Sequence, residues 1–131
     1  KIEFLAPLQF YDTMNNNSVV VKLTYGDTSF LMMGDAEKEE EQDLINSGAN
    51  LQADVIKIGH HGSKTSTTQE FLNAVQPDMA VISVGPDKNE LPKSEVLQRL
   101  EASNVKTYRT DSSGTVIFMS DGADITVATE Q

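Results

Sequence analysis

The sequence predicts an α/β chain close to the α+β boundary, with a mixed β-sheet flanked by about three helices. Three observations carry this. Short apolar or β-branched runs alternate with helical patterns through the middle of the chain, as parallel strands joined by crossover helices do. Near both ends, two apolar runs meet at a two-residue turn, as hairpins do. Finally, 131 residues with 38% hydrophobic composition suffice for one core and leave no room for a second. Residues 1–131 are therefore read as a single domain.

Each element has a local reason. Ile2 to Leu5 reads as a short strand closed by Pro7. Gln9 to Ser18 is polar and ends in Asn15-Asn16-Asn17-Ser18, a loop by its turn chemistry. Val19 to Tyr25 and Thr28 to Met33 form a hairpin about Gly26-Asp27. Beyond Asp35, Glu37, Glu39, Glu40 and Glu41 crowd the first turns of a helix, where the macrodipole favours acids. Leu44 and Ile45 are its inward side chains, Gly48 its stop, and the charge run is read as a solvated face.

Val55 to Ile58 is apolar enough to be buried on both faces. Thr67 to Val75 is a helix with Phe71, Leu72 and Val75 on one side, Ser66 or Thr67 with Glu70 as a capping box, and Pro77 at its end. Met79 to Val84 is a further buried strand, broken at Gly85-Pro86. Pro92 suits the first turn of the next helix, whose apolar stripe is Val96, Leu97 and Leu100. Lys106 to Arg109 is extended. Thr115 to Met119 and Ile125 to Ala128 close the chain as a hairpin across Asp121-Gly122.

Composition excludes some partners. Twenty acidic side chains against ten basic ones give a net charge of -10, which offers no general affinity for nucleic acid or an anionic membrane. A bound metal could still supply local positive charge. The absence of cysteine removes disulfides and thiolate ligands. No apolar run approaches the roughly 20 residues that span a bilayer, so direct membrane insertion by this segment is not expected.

The chemistry concentrates at two strand ends. The run Asp54-Val55-Ile56-Lys57-Ile58-Gly59-His60-His61-Gly62-Ser63-Lys64 holds both histidines of the chain. Phe30-Leu31-Met32-Met33 stops in the same manner at Gly34-Asp35. Open α/β sheets keep their sites at such strand ends. A carboxylate at one and imidazoles at the other are hard and borderline donors suited to a hydrolytic metal. Successive strand side chains point to opposite faces, so one of His60 and His61 faces a given metal and the other orients, contacts substrate or packs. Ser63, Lys64 and Ser66 follow in a loop whose hydroxyls, amides and ammonium suit a phosphate. Two or three donors alone also fit a purely structural strand end.

Four blocks sharpen this reading. Phe30-Leu31-Met32-Met33-Gly34-Asp35-Ala36-Glu37, Ala53 through Ser66, Ala80-Val81-Ile82-Ser83-Val84-Gly85 and Tyr108-Arg109-Thr110-Asp111-Ser112-Ser113-Gly114-Thr115 resemble, in order, the second half of a metallo-β-lactamase fold. The branch they resemble most is the hydrolase domain of ComEC-type competence DNA-uptake proteins and their free-standing secreted relatives. The resemblance runs from about Asn16 to Phe118.

The resemblance implies the C-terminal half of an αββα sandwich that binds one or two ions, zinc or manganese, at a sheet edge when complete. Asp35 matches the carboxylate that bridges two metals, and either His60 or His61 matches the last histidine ligand. Such a centre activates a hydroxide and clamps a phosphodiester during in-line attack. Two departures stand out. The signature His-x-His-x-Asp-His cluster is absent, and Pro86-Asp87-Lys88-Asn89-Glu90-Leu91-Pro92 replaces an Asn-rich turn, with Leu91 where relatives carry a histidine.

The implied function is a metal-dependent phosphodiesterase or nuclease linked to DNA uptake, complete only with the N-terminal half of the fold. This stretch alone is expected to lack catalysis and to hold no metal ion. Two alternatives stay open: a secreted hydrolase of another phosphate ester, and a binding or scaffold module that has lost catalysis. An uncovered apolar sheet face would favour a homodimer or strand swap. The expected compartment is the extracellular face of the membrane or the secreted space.

Overall fold

The computed structural model describes residues 1–86 and 90–130. Six strands form one mixed sheet in sequence order: β1 (Ile2–Ala6), β2 (Val20–Tyr25), β3 (Thr28–Met32), β4 (Val55–Lys57), β5 (Met79–Ile82) and β6 (Lys106–Arg109). The first three are antiparallel and β3 through β6 run parallel. The parallel steps are made through α1 (Lys38–Asn46), α2 (Gln69–Val75) and α3 (Ser94–Ala102). A single turn, α4 (Thr110–Ser113), follows β6. The chain closes with a separate antiparallel pair, β7 (Val116–Ser120) and β8 (Ile125–Thr129). The expected order of strands and helices is observed, and α4 is an addition to it.

The two sheet faces differ. Leu31, Ile56 and Ala80 are aligned across β3, β4 and β5 and share a core with Leu44 of α1, Phe71, Leu72 and Val75 of α2, and Val96 and Leu100 of α3. Burying one side chain such as Phe71 contributes about 2–3 kcal/mol. Phe30, Val55 and Val81 point to the opposite face. There the β7–β8 pair covers the β3–β6 half: Phe118 meets the Phe30 and Tyr108 rings edge-on at 6.4 and 5.8 Å. The Thr28 and Ser120 hydroxyls are 2.7 Å apart. Around β1 and β2 the face stays open, with Phe4 75% and Ile2 63% exposed. An apolar face is thus left uncovered around β1 and β2.

Three local expectations are corrected. The acids of α1 are not a solvated face: Glu40 and Glu41 are each 1% exposed. Glu41 crosses to the start of α2, where its carboxylate accepts from the Thr67 amide at 2.5 Å and the Thr68 amide at 3.0 Å. Arg99 of α3 donates to the Thr67 carbonyl at 2.6 Å, so α1 and α3 grip the same turn. The cap of α2 is Thr68, whose hydroxyl accepts from the Phe71 amide, rather than Ser66 or Thr67. Pro92 is buried and lies before Lys93, the N-cap of α3, instead of inside its first turn.

The loop before β2 has a capping role its turn chemistry does not advertise. Asn16 is 3% exposed, and its side-chain oxygen accepts from the amides of Glu37 and Glu40 at 3.1 and 3.2 Å. A residue more than 20 positions upstream therefore satisfies the amides that α1 leaves free.

Candidate metal-binding edge

Because β3 to β6 are parallel, their C-terminal ends share one sheet edge, the place where open α/β sheets build sites. Gly34-Asp35 follows β3, Ile58 to Gly62 follows β4, Ser83 to Gly85 follows β5, and Thr110 follows β6. The edge is stitched by main-chain bonds. The His60 amide donates to the Gly34 carbonyl at 3.0 Å and the Ile58 amide to the Val81 carbonyl at 2.9 Å. The Ser18 hydroxyl accepts from the Asp35 amide at 3.1 Å. The Thr110 hydroxyl accepts from the Val84 amide and donates to the Val84 carbonyl, at 2.8 and 2.7 Å.

The histidines do not sit on the strand with alternating faces. Both lie just beyond β4 in a left-handed turn, with φ of 49° and 53°, which separates the rings to 6.5 Å between centroids. Gly62 closes this turn at φ +82°, with the place of a Cβ only 2.4 Å from the Pro92 Cβ; only glycine fits there. The divergence of the two imidazoles therefore comes from this turn and not from the strand alternation that the sequence suggests.

Their destinations differ. The His61 Nδ1 lies 2.6 Å from the Ser83 carbonyl. A carbonyl can only accept, so Nδ1 carries a proton, and in the neutral ring Nε2 keeps its lone pair. That Nε2 is 3.8 Å from Asp35 Oδ1. Metal-ligating histidines are held in this way by a second-layer acceptor. The His60 Nδ1 instead faces Glu37 Oε2 at 3.2 Å, and the Thr65 hydroxyl donates to the same carboxylate oxygen at 2.5 Å. The structure thus brings Asp35 and His61 together and turns His60 away toward Glu37.

The phosphate loop divides similarly. Lys64 is exposed, and the Ser63 hydroxyl is half-buried, 3.0 Å from the Thr65 hydroxyl. Ser66 is 0% exposed and donates to the Ala36 carbonyl at 2.7 Å. It is a buried tie between the strand-end loops, which corrects its assignment to substrate. A cleft of about 370 Å³ opens beside His61, lined by Ser83, Val84, Gly85 and Thr110. Leu91 packs against the core. Asp87, Lys88 and Asn89, the middle of the turn expected to depart from the family pattern, lie outside the described residues.

Asp35 and His61 fit two positions of a metal site. Two ligands about 2.1 Å from a tetrahedral ion stand ~3.4 Å apart, a few tenths of an ångström less than the observed separation. Among the described residues, however, no group of three or more His, Cys, Asp or Glu side chains could hold an ion, and catalytic zinc takes three protein ligands. Sequence reasoning singled out Asp35 with either His60 or His61 as candidates and did not reach the groups that hold them. Ser83 and Thr110 lie in motif blocks but act through a carbonyl and a hydroxyl that no spacing reveals. Glu37 was absorbed into the helical charge run.

Comparison with known proteins follows the same residues. The family model described as the metallo-beta-lactamase superfamily matches residues 2–85. The chain is 44% identical over 105 residues to the ComE operon protein 3 of Bacillus subtilis (strain 168), covering 79% of this chain and 14% of that protein. It is 38% identical over 119 residues to the competence protein ComA of Neisseria gonorrhoeae, covering 88% and 17%. It is also 38% identical over 103 residues to the recombination protein 2 of Haemophilus influenzae, covering 78% and 13%. The chain spans between 13% and 17% of the length of these relatives.

Proposed function

The chain belongs to the metallo-beta-lactamase superfamily, and from that premise we propose that it supplies one strand layer and two donors, Asp35 and His61, to a metal-dependent phosphodiesterase centre that acts in DNA uptake. The observation that carries this is the His61 imidazole, fixed by Ser83 with its Nε2 lone pair beside the Asp35 carboxylate. Competence proteins among the relatives support the link to DNA uptake and a membrane-associated or secreted setting. No helix among the described residues is long and apolar enough to cross a membrane.

Asp35 and His61 would hold zinc or manganese, with further donors from elsewhere in the complete protein, in the first instance from an N-terminal half of the same fold. The ion, once held, supplies Lewis acidity toward a phosphoryl oxygen. The chain's own residues do the remaining work. Ser83 holds His61 in the tautomer that leaves Nε2 free, and Thr110 ties down the strand end that carries Ser83. The cleft beside His61 receives the substrate, and Ser63 and Lys64 are the phosphate contacts.

The test compares Asp35→Ala, His61→Ala and His60→Ala in the complete protein, following divalent-metal affinity and hydrolysis of a single-stranded oligonucleotide. The first two should abolish both, and His60→Ala should retain metal binding. Hydrolysis that survives Asp35→Ala would overturn the proposal.

A further inference from the structure

Lys57 is an ammonium with no bonded partner among the described residues. It is the last residue of β4, and its neighbours across the sheet are Met32 and Val81. Its side chain therefore stands on the face that carries the β7–β8 pair, three residues short of the His60-His61 turn. There it lines an apolar groove of about 440 Å³ with Met32, Val55, Val81 and Phe118. The other lysines on or beside the sheet have partners. Lys22 donates to the Asn50 carbonyl at 3.2 Å, Lys106 lies 5.5 Å from the Tyr108 ring centroid, and Lys1 is 3.5 Å from the Glu3 carboxylate.

Lys57 is half-buried and has no hydrogen bond or ion pair among the described residues. Burial pushes its pKa down, and the charge of Asp35 partly offsets this. A half-buried charge without a bonded partner lowers stability. A methionine, similar in length and apolar, would suit this groove better. The fold retains a costly cation within the field of the carboxylate that forms half of the candidate site.

We propose that Lys57 is a positioning cation of the Asp35–His61 edge: it offsets the charge of Asp35 and draws a phosphate oxygen toward that edge. This rests on the phosphodiester reading above. A fixed positive charge favours an anion and opposes a metal cation. Removing it therefore moves the two affinities in opposite directions, which no loss of structure would do.

The test uses the 15N-labelled chain, titrated with inorganic phosphate and separately with Mn2+, alongside thermal unfolding. Lys57→Met should weaken phosphate-induced amide shifts at Asp35, His61 and Ser63 by about threefold and tighten Mn2+ broadening at Asp35 and His61 by about threefold. Its Tm should equal or exceed that of the parent, and Lys57→Arg should restore the phosphate response. Phosphate that leaves the edge unmoved in the parent chain, or moves it equally in Lys57→Met, overturns the proposal. So does a Lys57→Met chain that loses both ligands together with Tm, because that marks a structural role. Mn2+ that broadens neither Asp35 nor His61 in the parent counts against the metal pair, and the phosphate and melting results still decide the role of Lys57.

Discussion

Glu40 makes this chain less stable as the pH rises through neutrality. Its side chain is 1% exposed, and neither carboxylate oxygen has a hydrogen-bond partner among the described residues. Burial, with Asp43 adding repulsion, pushes its pKa from 4.5 to about 8. The unfolded chain ionises this group near 4.5 and the folded chain only near 8. Between those values the folded state binds more protons, so stability falls as pH rises and levels off above the folded pKa. At about 1.4 kcal/mol per pH unit the ceiling is about 5 kcal/mol. Water reaching an acid beside a surface loop relaxes part of that, and about 2–3 kcal/mol is the working figure.

Glu40→Gln keeps the shape of the protonated acid and removes the titration. Urea unfolding of both chains from pH 4.5 to 8.5 provides the assay. The two should agree near pH 4.5, and the variant should exceed the parent by about 2–3 kcal/mol at pH 8. Glu41, whose pKa burial also raises against the Thr67 and Thr68 amides and Arg99, is present in both chains and drops out of the difference. Stability curves that stay parallel across this window would refute the reasoning.

Two further changes probe how the edge is held. Asn16→Ala removes the acceptor of the Glu37 and Glu40 amides and should cost about 1–2 kcal/mol in urea unfolding; Asn16→Asp, which keeps an acceptor there, should recover part of it. Gly62→Ala puts a methyl group 2.4 Å from the Pro92 Cβ at φ +82°. It should destabilise the chain by more than about 1 kcal/mol and shift the His61 ring resonances, and a chain unchanged in both would show that the turn relaxes freely.

What the sequence made legible was whatever depends on near neighbours. The Tyr25-Gly26-Asp27-Thr28 turn, the strand ends at Asp35 and at His60-His61, and the alternation of strands with helices are all written within a few residues. What it hid depends on partners far along the chain. Glu41 is buried because Thr67 and Thr68 lie 26 and 27 residues away, so a helix of acids looked solvated. Ser66 could be taken for a phosphate contact until its hydroxyl was found on Ala36, 30 residues upstream. The choice between His60 and His61 was open for the same reason, since it is made by Ser83 and Glu37 rather than by anything adjacent.

The left-handed turn at His60-His61 also has an entropic consequence. The backbone of both residues is committed at folding, and the Ser83 carbonyl removes the remaining freedom of the His61 ring. A ligand arriving at this edge meets an imidazole already oriented, and the cost of immobilising that side chain, about 0.5–1.5 kcal/mol, is not charged to the binding event. Changes that loosen Ser83 or Thr110 would return that cost to the ligand, weakening its hold without altering a single donor atom.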